Sequence, residues 1–196
     1  MFRTFNLILV SLISLNTTAQ NSIIERVNNY MDSKNTFTDE LIYVSIKQQK
    51  LYHIQHDSII KEYIISSSAY GIGSTSGSNK TPIGLHRIRQ KHGETTPLNG
   101  KMTGRVFHGE VSTIYTDETK SKTDDITSRI LWLEGLEKGE NKGKGIDSFN
   151  RYIYIHGTSE EGRLGNPASH GCIRMKNKEV IDLYKLVEVG TLVLIL

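Results

Sequence analysis

Three short runs early in the chain set the tightest limit on its fold. LIYVSIK (41–47), KLYHIQH (50–56) and IIKEYIIS (59–66) are rich in β-branched and aromatic residues and are broken only by Gln-Gln and Asp-Ser. Runs of that length and spacing predict a meander of β-hairpins. Further strands are expected at 83–88, in RYIYIHG (151–157) and in TLVLI (191–195). Two segments read as helices instead. SIIERVNNYMDS (22–33) sets Ile23, Ile24, Val27, Tyr30 and Met31 on one face, and NKEVIDLYKLV (177–187) offers Asn177 as an N-cap. The stretch 89–150 is polar and irregular apart from one apolar island, ITSRILWLEGL (126–136), followed by the open tail EKGENKGKGIDS. It reads as a long insertion over one face of the sheet, a lid whose Ile130, Leu131, Trp132 and Leu133 pack beside a cleft. The fold class is therefore mostly β with a few short helices and a long loop insertion.

The first twenty residues, MFRTFNLILVSLISLNTTAQ, place Arg3 ahead of an apolar run from Leu7 to Leu15 and small residues ending at Ala19. That order predicts a signal peptide over 1–19, since the apolar run is far short of the ~20 residues needed to span a bilayer. The mature protein is expected to be exported to the periplasm or cell envelope without a transmembrane anchor, as a monomer. A helical lead-in over 20–39 would precede a single domain over 40–196. A net charge of +3 gives no reason to expect nucleic acid as a partner.

Export makes the sole cysteine, Cys172, unusual, because thiols in oxidising compartments normally pair. An unpaired one implies an intermolecular bond, an inert buried side chain or a nucleophile. Strand alternation favours the last. Tyr152, Tyr154 and His156 share one face while Ile153 and Ile155 share the other, and Cys172 and Arg174 point away from the side taken by Ile173 and Met175. Adjacent strands would then set His156 beside Cys172. A thiol attacks a carbonyl when a neighbouring imidazole takes its proton, and the imidazole needs a third group to fix its tautomer. Gly171 permits a tight turn in which backbone N–H groups can meet an oxyanion. The glycine-rich GSTSGSNKT lacks phosphate-loop spacing and reads as a turn. A zinc site on His156, His170 and Cys172 would lack a fourth ligand, so no metal or cofactor is expected.

His156-Gly157-Thr158, Leu164-Gly165-x-Pro167 and Ser169-His170-Gly171-Cys172-Ile173-Arg174-Met175 together resemble the signature of the L,D-transpeptidase (YkuD-like) catalytic domain, in a form with arginine where many relatives carry asparagine. Thr81-Pro82-Ile83-Gly84 and Gly190-Thr191-x-Val193 extend the likeness over roughly residues 40 to 196. The resemblance implies a β-sandwich or barrel-like fold and an acyltransferase that cuts peptidoglycan tetrapeptide stems before the terminal D-alanine. A thioester would form at the third residue and pass to an amine, with acylation by carbapenems also implied. It implies Cys172 as nucleophile, His156 as base, the Gly157 carbonyl orienting His156, and His170 and Gly171 shaping the oxyanion site. Tyr154 and Ser169 would bind substrate, as would Arg174, whose departure from asparagine leaves its role between substrate carboxylate anchor and scaffold. An L,D-carboxypeptidase of the same fold and a non-catalytic wall-binding or zinc-binding module are the alternatives.

Overall fold

The computed structural model describes residues 20–196, so the expected signal segment and its cleavage point lie outside the described residues. Residues 20–33 form helix α1. Ten strands follow: β1 (Glu40–Ser45), β2 (Lys50–Gln55), β3 (Ser58–Ser66), β4 (Gly84–His92), β5 (Gly100–Thr103), β6 (Val106–Val111), β7 (Ile126–Gly135), β8 (Tyr154–Thr158), β9 (Ile173–Met175) and β10 (Leu192–Ile195). Helix α2 (Asn177–Leu186) separates the last two. The three leading runs form the meander their sequence predicts, with β1–β2 and β2–β3 both antiparallel.

The strand order is β4-β10-β1-β2-β3-β9-β8-β7-β5-β6, and β4 also pairs with β7. That extra pairing closes the sheet on itself as a barrel-like ring, leaving the β5–β6 hairpin attached outside it. Closure pairs each of the eight ring strands on both sides over at least part of its length, while β6 keeps its outer edge open. Two of the ladders, β1–β10 and β8–β9, are parallel, and the second of these carries the site described below.

Alternation sorts the apolar residues onto two faces. Ile42, Val44, Ile65, Leu131, Leu133, Ile155, Ile173 and Met175 join Val180 and Leu183 of α2 in the main core. On the other face of β1 and β2, Leu41, Tyr43, Tyr52 and Ile54 pack against Val27 and Met31 of α1. A third cluster, Met102, Ile130, Trp132 and Tyr154, lies under the β5–β6 hairpin, and Cys172 packs against it. Fully burying one such side chain contributes about 1.5–3 kcal/mol, so the two-faced strands carry much of the stability.

Several expectations are corrected. The stretch 89–150 is no lid: β4 continues to His92, a hairpin occupies 100–111, and the apolar island is β7, paired on one side to β4 and on the other to β8. Nine of its ten residues are buried, because both faces of this strand are covered. A doubly covered strand shows no polar alternation, which is why it reads as an island and not as a strand. Residues 112–125 and 136–150 do run largely without regular structure. β8 begins at Tyr154, not at Arg151, since Tyr152 sits at φ +57° in a turn and is 55% exposed. Asn177 is not the N-cap of α2. That position is Lys176, without a side-chain cap, and the Asn177 N–H is instead met by Glu161 Oε1 at 2.8 Å. The Asn177 side chain turns inward, accepting from Thr127 Oγ1 and Ser128 Oγ at 2.6 Å each and donating to the Thr158 carbonyl and to Glu161 Oε1.

Candidate active site

The parallel β8–β9 ladder pairs Ile155 with Ile173 and His156 with Arg174. With Ile155 and Ile173 in the core, Tyr154, His156 and Arg174 lie on the opposite face, and Cys172, one residue before β9, falls in the same phase. His156 is 2% exposed, and its Nδ1 donates to the Gly157 carbonyl at 2.8 Å. A ring that donates from Nδ1 keeps its lone pair on Nε2. Gly157 is obligatory here: a Cβ would lie 2.6 Å from Asn177 Oδ1 and 2.7 Å from the Thr127 carbonyl.

Cys172 is half-buried and unpaired. Its Sγ accepts from the Tyr154 N–H at 3.4 Å and donates to the Tyr152 carbonyl at 3.3 Å, so the thiol hydrogen is held by the backbone ahead of β8. Burial pushes the thiol up to about 12; Asp124 adds to the rise, while the Tyr154 N–H, Arg174 and Arg151 oppose it. Burial also lowers His156, only partly countered by Asp124 and the Gly157 carbonyl. Burial thus favours the uncharged form of both the thiol and the imidazole.

The turn before the thiol is held from within. Ser169 Oγ accepts the Gly171 N–H at 3.1 Å and donates to the Cys172 carbonyl at 2.6 Å, while Thr81 Oγ1 donates to the Gly171 carbonyl at 3.0 Å. Gly171 adopts φ +123°, a region closed to most side chains, with the Lys80 carbonyl 3.3 Å from where a Cβ would stand. The sequence missed this use of Ser169 and Thr81.

Arg174 is 2% exposed and spans two carboxylates: Nη2 to Asp124 Oδ1 at 2.7 Å and Nη1 to Glu160 Oε2 at 2.8 Å. Asp124 Oδ2 in turn receives His170 Nδ1 at 2.8 Å, and the His170 ring tilts against Tyr70 at 5.8 Å between centroids. Glu160 also takes Arg163, and the Ser121 N–H and hydroxyl bond to its Oε1. Burial alone would raise both acids, but Arg174 and His156 hold the Asp124 carboxyl below its usual range, and Ser121, Arg174 and Arg163 do the same for Glu160. Neither acid carries a motif. Choosing them from the chain's 21 acidic residues requires knowing that Arg174 is buried.

Tyr154 closes the other side. Its hydroxyl accepts from Arg105 Nη1 at 3.2 Å, and the Arg105 guanidinium lies 4.5 Å over Trp132, which meets Tyr154 edge-on. Arg105 belongs to the β5–β6 turn, so the hairpin reaches the aromatic wall next to the thiol. Among the described residues, no three His, Cys, Asp or Glu side chains gather as metal ligands.

The family model for the L,D-transpeptidase catalytic domain (YkuD) matches residues 39–195. Of known proteins, Bacillus subtilis YqjB, named as an L,D-transpeptidase, is 50% identical over 52 residues, covering 26% of this chain and 28% of its own. Escherichia coli YbiS, likewise named, is 27% identical over 112 residues, 56% of this chain and 35% of its own. The chain thus matches about a third or less of these relatives' length. A solved structure of the Enterococcus faecium L,D-transpeptidase catalytic domain acylated by ertapenem aligns with 82% of this chain and 98% of its own, at 17% identity and a TM-score of 0.48.

Proposed function

The chain belongs to the L,D-transpeptidase catalytic domain family, and on that premise we propose that it is a cysteine-dependent acyltransferase acting on peptidoglycan tetrapeptide stems. The observation that carries this reading is the His156–Cys172 placement: one face of two adjacent parallel strands, with His156 Nδ1 tied to the Gly157 carbonyl and Nε2 left to accept a proton. The thiol first leaves the Tyr152 carbonyl, then passes its proton to Nε2 as sulfur attacks the carbonyl of the third stem residue. The backbone N–H groups of His170 and Cys172 meet the oxyanion, since those of Ser169 and Gly171 are taken by the Ser67 carbonyl and Ser169 Oγ. The C–N bond to the terminal D-alanine breaks, the imidazolium protonates the departing amine, and a thioester remains on Cys172. An acceptor amine then gives a proton back to His156 as it attacks the thioester, which releases the thiol and forms a new amide.

His170 and Gly171 shape the turn, and Ser169 holds it. Tyr154 forms the wall of the cleft. Arg174, buried between two acids, acts as scaffold for the turn in this reading. Residues 1–19 direct export, and the mature chain meets its substrate in the cell envelope.

Incubation of the mature protein with purified disaccharide tetrapeptide, followed by mass spectrometry, tests the proposal. Loss of one alanine with formation of a dimer joined at the third residues, and a thioester adduct on the wild type alone, is the expected result. Tripeptide without dimer would mean that water is the acceptor. Equal turnover by Cys172→Ala would remove the cysteine from the reaction.

A further inference from the structure

We propose that Asp124 is a positioning residue of this active site: one carboxylate, delivered by the irregular segment 112–125, that fixes the His170 ring through one oxygen and the Arg174 guanidinium through the other. The inference rests on the acyltransferase reading for its consequence in turnover, but not for its effect on the thiol.

The geometry forms a closed circuit. Asp124 Oδ1 holds Arg174 Nη2 at 2.7 Å, Arg174 Nη1 holds Glu160 Oε2 at 2.8 Å, and Glu160 Oε1 receives the Ser121 N–H at 2.7 Å, three residues before Asp124 in the same segment. The Ser121 hydroxyl also folds onto the Thr123 carbonyl, and Asp125 is held separately by Ser112 and Lys101. A segment without regular structure is therefore tied at successive points, and the free end of that tie is the carboxylate at the turn. The second oxygen then reaches His170, two residues before the nucleophile, at 2.8 Å. An ionised carboxylate only accepts, so it selects the His170 tautomer with hydrogen on Nδ1 and leaves Nε2 directed elsewhere. His170 is 42% exposed at its side chain, and without this partner a ring at such a position would sample several rotamers.

Asp124 also sets the field at the thiol. The groups facing Cys172 are Asp124 from the segment, Arg174 from β9, Arg151 from the turn ahead of β8 and Tyr154 from β8, and Asp124 is the acid among those acting on it. It acts on His156 too, where it supports the imidazolium. Removing the charge therefore favours the thiolate and disfavours the imidazolium, which separates the resting pair's acidity from its competence in proton transfer.

The test uses Cys172 as its own reporter, since it is the only thiol. Iodoacetamide alkylation followed by intact mass across pH gives the thiol titration without any peptidoglycan substrate. For Asp124→Asn the alkylation midpoint is expected to move to lower pH by about one unit, while turnover of tetrapeptide falls by roughly 10- to 100-fold because a single amide oxygen cannot accept from both His170 and Arg174. Asp124→Glu keeps the charge but shifts the oxygens by one methylene, so the midpoint should stay and turnover should still fall. An Asp124→Asn midpoint equal to wild type, or Asp124→Glu with wild-type turnover, would overturn the proposal, and the second variant decides if the first does not fold. Should wild type lack tetrapeptide turnover, the alkylation midpoints still judge Asp124 while the function reading fails by itself.

Discussion

Replacing Arg174 by methionine separates a scaffold from a substrate anchor. The side chain is 2% exposed, so the variant keeps most of the packing volume and loses the two ion pairs to Asp124 and Glu160. Breaking a buried pair by removing one partner commonly costs about 3–5 kcal/mol. Three features reduce that here. Glu160 keeps Arg163 and both Ser121 bonds, and the Asp124 side chain is 29% exposed and can be hydrated. Arg174 Nε, buried with no hydrogen-bond partner, is removed together with its penalty of about 1 kcal/mol. The net loss should be about 2–3 kcal/mol, which at an m-value of roughly 2 kcal/mol/M lowers the urea midpoint by about 1–1.5 M with unchanged slope. Arg174→Lys should recover less than half, because a point charge cannot span two carboxylates as a guanidinium fork does. Urea unfolding followed by Trp132 fluorescence, with KM for tetrapeptide measured on the same samples, supplies both readouts. An unchanged midpoint with a raised KM would refute the scaffold argument and make Arg174 a carboxylate anchor for substrate.

Two further outcomes concern stability. His86 is fully buried between the Gly84 carbonyl and Ser148 Oγ, and burial lowers it from 6.5 to about 4. A histidine with a depressed folded-state pKa binds fewer protons folded than unfolded, so stability should fall by up to about 3 kcal/mol as pH drops from 6.5 to 4; His86→Gln should flatten that window in urea titrations, and an identical slope would assign it elsewhere. Asn177→Ala strands the Thr127 and Ser128 hydroxyls and the Thr158 carbonyl next to Gly157, at a cost of about 2–4 kcal/mol, read as a lower melting temperature; an unchanged melting temperature would mean that water replaces the amide.

Local rules in the sequence determined whatever depends on neighbours along the chain. The three leading runs, the α1 face and the opposed sides of Ile173 and Arg174 follow from side-chain periodicity, and the Ser-His-Gly-Cys turn with its upstream His-Gly identifies the family. What depends on residues far apart in sequence was decided by the tertiary structure. β7 is a strand because β4 and β8 flank it, and Asn177 faces inward because Thr127, Ser128 and Thr158 wait there while Glu161 meets its N–H. Arg174 lies between two acids that are 50 and 14 residues away along the chain. A buried guanidinium must be neutralised, but a sequence holding 21 acidic residues does not say which of them the fold brings within 3 Å. The fold makes that choice, because it brings Asp124 of the segment 112–125 and Glu160, just after β8, against Arg174 of β9.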